Sequence, residues 1–211
     1  MIDVSSRSVP GSTHPYEDRV LVDQERGLFA IADGVTGSSQ GSGAVAAELA
    51  LQLLREGFAG DVVKAIQTVH RTLYERRIND RSVGETTLTA AAVKGDLLQV
   101  GNLGDSPAYL VRGGEMRSLI TDDISPLKYI TQVVGYPEHV RVHTQEARLQ
   151  KRDLVIVASD GVGHVLHPSF IASLAGESSA DLIAERVVEE AQRTVTSYDD
   201  DESVIVLRVF A

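Results

Sequence analysis

Four short runs in the sequence set an aspartate at one end of an apolar stretch, beside glycine or another small residue. They are Phe29-Ala30-Ile31-Ala32-Asp33-Gly34, Gly101-Asn102-Leu103-Gly104-Asp105-Ser106, Val155-Ile156-Val157-Ala158-Ser159-Asp160-Gly161, and the acidic run Tyr198-Asp199-Asp200-Asp201-Glu202-Ser203 that precedes the last apolar segment. Any one Asp-Gly pair, taken alone, reads as turn chemistry. Four in the same setting point further. Carboxylates held near one another repel unless protonated or neutralised, so converging aspartates imply a hard divalent cation. Mg²⁺ and Mn²⁺ take oxygen ligands in octahedral geometry and keep waters, whereas Zn²⁺ favours His or Cys, and the chain has no Cys. Two such ions roughly 3.5 to 4 Å apart would make a bridging water nucleophilic at neutral pH and would stabilise charge on a phosphoryl group.

The elements that must position these residues follow from the apolar pattern. Residues 19–23 and 27–32 read as two paired strands, with Asp33 at the end of the second. After the Gly-rich stretch 34–43, residues 44–54 are strong helix formers, and a second helix over 61–77 carries Val62, Ile66, Val69 and Leu73 at helical spacing. Strands over 86–93, 97–103, 108–112 and 116–120, joined by Lys94-Gly95-Asp96 and by Arg112-Gly113-Gly114-Glu115, make an antiparallel meander. A buried strand over 153–158, a helix over 178–193 opened by a Ser-x-x-Asp capping pattern, and a closing strand over 203–210 complete the chain. Helices that fall between groups of strands do not alternate as βαβ units. They predict an α+β fold, antiparallel sheets with helices stacked outside them. Length and an unshifted composition predict a single domain over 1–211.

Composition narrows the partners. The net charge of −10, with no cluster of Lys and Arg, argues against nucleic acid or an anionic membrane as the main partner. The absence of Cys removes disulfides, thiolate metal sites and a cysteine nucleophile. No segment approaches the roughly 20 apolar residues that span a bilayer, and the first residues lack a basic stretch followed by an apolar run. The expectation is a cytoplasmic, unanchored protein acting as a monomer.

The order and wording of seven segments resemble the metal-dependent protein phosphatases of the PPM (type 2C) family. These are Tyr16-Glu17-Asp18-Arg19, Ala32-Asp33-Gly34 with Gly37 and Gly41, Gly84-Glu85-Thr86-Thr87, Asn102 to Leu110 around Gly104-Asp105-Ser106, Thr121-Asp122-Asp123-Ile124-Ser125, Ser159-Asp160-Gly161, and Asp200-Asp201-Glu202-Ser203-Val204. The resemblance implies a four-layer α-β-β-α sandwich, two antiparallel sheets flanked by helix pairs. It also implies two Mn²⁺ or Mg²⁺ ions, with a third in parts of the family. Asp33 would bridge two ions, Asp160 and Asp200 would complete the first, and the Gly34 carbonyl would bind the second. Glu17 and Asp18 would act partly through metal-bound waters, and Asp105 with Asp160 would hold the third ion. The substrate would be phosphoserine or phosphothreonine on a protein, hydrolysed by direct attack of water without a phosphoenzyme.

Departures from the family pattern carry information of their own. Many members place an Arg five residues before the early aspartate to grip phosphate; that position is Thr13, and neighbouring His14 cannot copy a bidentate guanidinium fork. Some members have a His two residues after the Asp-Gly aspartate, where this chain has Val35. His164 stands where several relatives carry a further aspartate; it reads either as part of the site or as a partly exposed His at a helix start. The interval from Asp122 to Gly135 leaves little room for the mobile flap of many bacterial relatives, so the flap is expected to be short or absent. Two other functions stay open: a pseudophosphatase or phosphoprotein-binding module on the same fold, and a phosphatase for small-molecule phosphate monoesters.

Overall fold

The computed structural model describes residues 1–37, 40–174, 177–194 and 199–210. Residues 38 and 39 of the Gly-rich stretch and Tyr198 of the acidic run lie outside the described residues. The strands are β1 (Ile2–Val9), β2 (Arg19–Asp23), β3 (Leu28–Ala32), β4 (Leu88–Lys94), β5 (Leu97–Leu103), β6 (Ala108–Arg112), β7 (Glu115–Ser118), β8 (His143–Arg148), β9 (Leu154–Ala158) and β10 (Glu202–Val209). The helices are α1 (Gly43–Gly57), α2 (Val62–Asn79), α3 (Asp160–Gly163), α4 (Pro168–Ser173) and α5 (Ala180–Thr194). Two five-stranded sheets form, one in the order β1-β10-β9-β6-β7 and the other β2-β3-β4-β5-β8, and every pairing is antiparallel.

The apolar runs that read as buried strands are buried on both faces, which is why they lack polar alternation. In β3, Phe29 and Ile31 point to the opposite sheet, while Leu28, Ala30 and Ala32 point to α1 and α2. In β9 and β10, Val155, Val157, Ile205 and Leu207 fill the space between the sheets, while Ile156, Ala158, Val204 and Val206 meet α5. The layers are therefore helices, sheet, sheet, helices, the predicted sandwich. Ser42 caps α1 by accepting the Val45 N–H at 3.4 Å, and Asp61 caps α2 by accepting the Lys64 N–H at 3.0 Å.

Two strands escape the pattern. β1, Ile-Asp-Val-Ser-Ser-Arg-Ser-Val, and β8, His-Thr-Gln-Glu-Ala-Arg, are sheet edges and partly exposed, so their sequences carry polar residues that mask the period. α3 and α4 are each under seven residues, too short to show a helical period, although Pro168 marks the start of α4. The Ser178 capping box does not form. Ser179 accepts the Leu182 N–H at 3.3 Å, and Asp3 of β1 reaches the Ala180 N–H at 2.7 Å, so the helix end is capped by a residue remote in sequence. Asp181 is meanwhile drawn away to Ser5 and Arg7. Residues 119–142, between β7 and β8, contain no named helix or strand.

Candidate active site

Antiparallel pairing decides which strand ends meet. Ala32 at the end of β3 opposes Arg19 at the start of β2, and Ala158 at the end of β9 opposes Val204 near the start of β10. The carboxylates just beyond those ends, Asp18, Asp33, Asp160 and Asp200, thus gather at one end of the sandwich. Their mutual influence shows it. Desolvation holds Asp33 well above the usual carboxylate range, reinforced by the charges of Asp18, Asp160 and Asp200 and by a hydrogen bond it shares with Asp160. Desolvation and the Asp200 charge raise Asp160 as well, with the bond from Asp33 opposing.

Asp18 is 1% exposed, and burial pushes its carboxyl up to about 7, with Asp201 and Asp160 adding to the rise. The Ser159 and Ser203 hydroxyls are near enough to temper that shift. Their own bonds run elsewhere, however: Ser159 Oγ donates to the Asp201 carbonyl and accepts the Ser203 N–H, and Ser203 Oγ pairs with Ser8. Both Asp18 oxygens are left buried with no hydrogen-bond partner. Asp105, at the β5–β6 turn, has one such orphaned oxygen, and burial followed by the Asp160 charge pushes it up to about 6.

Other residues reach the site less directly. Glu17 is buried, and both of its oxygens are engaged: Thr36 Oγ1 donates to Oε2 at 2.7 Å and the Ala44 N–H to Oε1 at 3.2 Å, fastening the site's rim to the start of α1. Asp33 is fixed through its backbone, its carbonyl accepting the Thr87 N–H at 2.8 Å and Thr86 Oγ1 at 2.9 Å. Gly34 lies so close to Gly43 that a Cβ on Gly34 would stand 2.4 Å from the Gly43 carbonyl carbon, and this contact sets where the Gly34 carbonyl can sit. His164 is turned to α5, with Nε2 3.0 Å from Thr194 Oγ1.

Three acidic residues that the strand-end pattern did not single out organise the surroundings. Asp201 accepts the N–H groups of Gly11, Glu17 and Asp18 at 2.9, 2.6 and 3.2 Å. Asp123 accepts the Gly104 N–H at 2.9 Å and bonds Gln132 and His143, each at 2.8 Å, so it anchors residues 121–132 beside Asp105. Glu202 is 2% exposed with both oxygens unpartnered, and burial followed by the Asp199 charge pushes it up to about 7.

This donor set fits a hard divalent cation. Orphaned buried carboxylate oxygens on Asp18 and Asp105, next to Asp33 and Asp160, both raised by burial and by neighbouring carboxylate charge, are groups short of positive charge. Among the described residues no three His, Asp or Glu side chains are already closed around one point. Mg²⁺ and Mn²⁺ do not require that, since such ions keep several waters and need only one or two protein carboxylates each.

Residues 10–200 match the family model described as protein phosphatase 2C, and the chain belongs to that family, a class of metal-dependent protein serine/threonine phosphatases. It is 32% identical over 122 residues to a probable protein phosphatase 2C 9 of Arabidopsis thaliana, a match that covers 53% of this chain and only 43% of the plant protein. It is 27% identical to a serine/threonine phosphatase stp of Listeria innocua, over 86% of this chain and 83% of that one. Among solved structures, the catalytic domain of the phosphatase PstP, in complex with two manganese ions, superposes with a TM-score of 0.83 at 23% identity, covering all of this chain and 99% of its own. That likeness establishes the fold.

Proposed function

We propose that this chain hydrolyses phosphoserine and phosphothreonine on proteins, with Mn²⁺ or Mg²⁺ held by Asp33, the Gly34 carbonyl, Asp160 and Asp200. Asp18 and Glu17 would support the ions through water, and Asp105 with Asp160 would take a third. When bound, the ions supply an activated water and neutralise charge on the phosphoryl group. The chain's own part is to hold carboxylates at rigid strand ends, to keep Asp18 and Asp105 in a desolvated setting where a cation is the best available partner, and to fix Asp33 through Thr86 and Thr87. The observation that carries the reading is the pair of buried, unpartnered Asp18 oxygens at the strand ends where Asp33, Asp160 and Asp200 gather. The two manganese ions in the PstP structure support two ions here.

The test is phosphate release from an aryl phosphate and from a phosphopeptide, with and without Mn²⁺ or Mg²⁺, alongside calorimetric Mn²⁺ titration of the wild type, Asp33→Asn and Asp160→Asn. Metal-dependent release from both substrates, and loss of tight Mn²⁺ binding in both variants, are expected. Folded protein that binds no metal would be a pseudophosphatase. Faster turnover of small metabolite phosphates than of phosphopeptides would reassign the substrate.

A further inference from the structure

Segment 11–14 is fastened along its length to the acidic run before β10. The Gly11 N–H donates to Asp201, and a Cβ on Gly11 would stand 2.3 Å from the Asp199 carbonyl oxygen, so the two backbones lie in direct contact. Ser12 donates to Asp199 Oδ2 from its N–H at 3.0 Å and from its hydroxyl at 2.6 Å. Thr13 and Asp199 then exchange bonds: the Thr13 N–H donates to the Asp199 carbonyl at 3.2 Å, and the Asp199 N–H to Thr13 Oγ1 at 2.9 Å. Thr13, at the position of the family's phosphate-gripping Arg, is thus committed to holding two stretches of chain together.

The clasp ends at His14. Its side chain is 7% exposed, with Nδ1 2.8 Å from the Pro15 carbonyl and Nε2 2.6 Å from Asp200 Oδ1. The Pro15 carbonyl and Asp200 Oδ1 can only accept, so the ring holds both when each of its nitrogens carries a proton, and it then fixes the carboxylate. Asp200 Oδ1 also accepts the Asp201 N–H at 2.8 Å, so two donors from different directions set the plane of that group. Both of these bonds fall on Oδ1 and neither on Oδ2.

We propose that His14 is a positioning residue for Asp200: the Pro15 carbonyl, the His14 ring and Asp200 Oδ1 form a relay that pre-sets the carboxylate rotamer in which Asp200 meets a divalent cation. The proposal rests on the reading of Asp200 as a metal ligand. Outer partners of this kind typically carry 10- to 100-fold in metal affinity, roughly the range a lost rotamer restraint should show here. The side chain acts by geometry, so a replacement that still donates to Oδ1 should recover much of the effect.

The experiment is calorimetric Mn²⁺ titration of wild type, His14→Ala, His14→Gln and Asp200→Asn, with thermal melting of each in EDTA and phosphopeptide turnover at saturating Mn²⁺. Mn²⁺ affinity about tenfold weaker in His14→Ala, largely restored in His14→Gln, with unchanged melting in EDTA and near-normal turnover once Mn²⁺ saturates, is the expected result. Unaltered affinity in His14→Ala while Asp200→Asn loses the metal overturns the proposal and leaves the site reading intact. Unaltered affinity in Asp200→Asn overturns the site reading, and the proposal with it. A raised KM for phosphopeptide at saturating Mn²⁺ makes His14 a phosphate contact, and a lowered EDTA melting point in both His14 variants makes it structural; either also overturns the proposal.

Discussion

At the scale of single residues, the site stores unfavourable charge in the absence of metal. Asp18 and Glu202 are pushed up to about 7 and Asp105 to about 6, each chiefly by burial. The folded protein therefore binds more protons than the unfolded chain between the ordinary carboxylate range and those values, so stability falls as pH rises through that window. In EDTA, urea unfolding should show a loss of up to about 7 kcal/mol between about pH 5 and pH 8, at about 1.4 kcal/mol per unit, and saturating Mn²⁺ should remove the share carried by Asp18 and Asp105 by favouring their ionised forms. Stability that rises with pH in EDTA would contradict this account. Asp33 and Asp160 were legible in the sequence because a strand end followed by Gly is a local signal, whereas the acidic run before β10 marked only a stretch, within which the family resemblance picked out Asp200. Asp201 and Asp123 were not legible, because each works by accepting N–H groups from distant parts of the chain, and no spacing records that.

At the scale of elements, the approach of β3's exit to the start of α1 is set by absent side chains. A Cβ on Gly43 would stand 2.5 Å from the Gly34 carbonyl carbon, which is backbone and cannot step aside. Gly43→Ala should cost about 1 to 3 kcal/mol in urea unfolding and weaken Mn²⁺ binding by displacing the Gly34 carbonyl. Gly57→Ala, at the far end of the same helix with nothing within 4 Å of the added carbon, should be neutral or stabilising by up to about 1 kcal/mol. Equal effects at the two positions would refute the packing argument. The central strands were readable as continuous apolar runs because both their faces are covered. β1 and β8 were not: both are partly exposed edges with polar residues through their length, whereas the edges β2 and β7 stayed legible through the apolar Val20-Leu21-Val22 and the Arg112-Gly113-Gly114-Glu115 turn.

At the scale of the whole molecule, the sandwich was readable from the order of elements, since two helices between strand groups and a late helix before a last strand leave few ways to cover both sheets. Its closure was not readable. β10 lies between β1 and β9, and its ladder with β1 joins Ile2 to Val209, partners roughly two hundred residues apart. Among the described residues no helix is long and apolar enough to cross a membrane, so these sheets and their flanking helices hold the apolar content.

The position of β10 also fixes when the molecule becomes itself. On a ribosome, Asp33 would emerge on the order of ten seconds before Asp200, and until β10 inserts, β1 has no neighbour and the cluster lacks one of its carboxylates. In refolding from urea, tight Mn²⁺ binding should appear only with the slowest phase, in the millisecond-to-second range of non-local β structure, and never in an earlier one. Competence for metal would then report that the last strand has arrived.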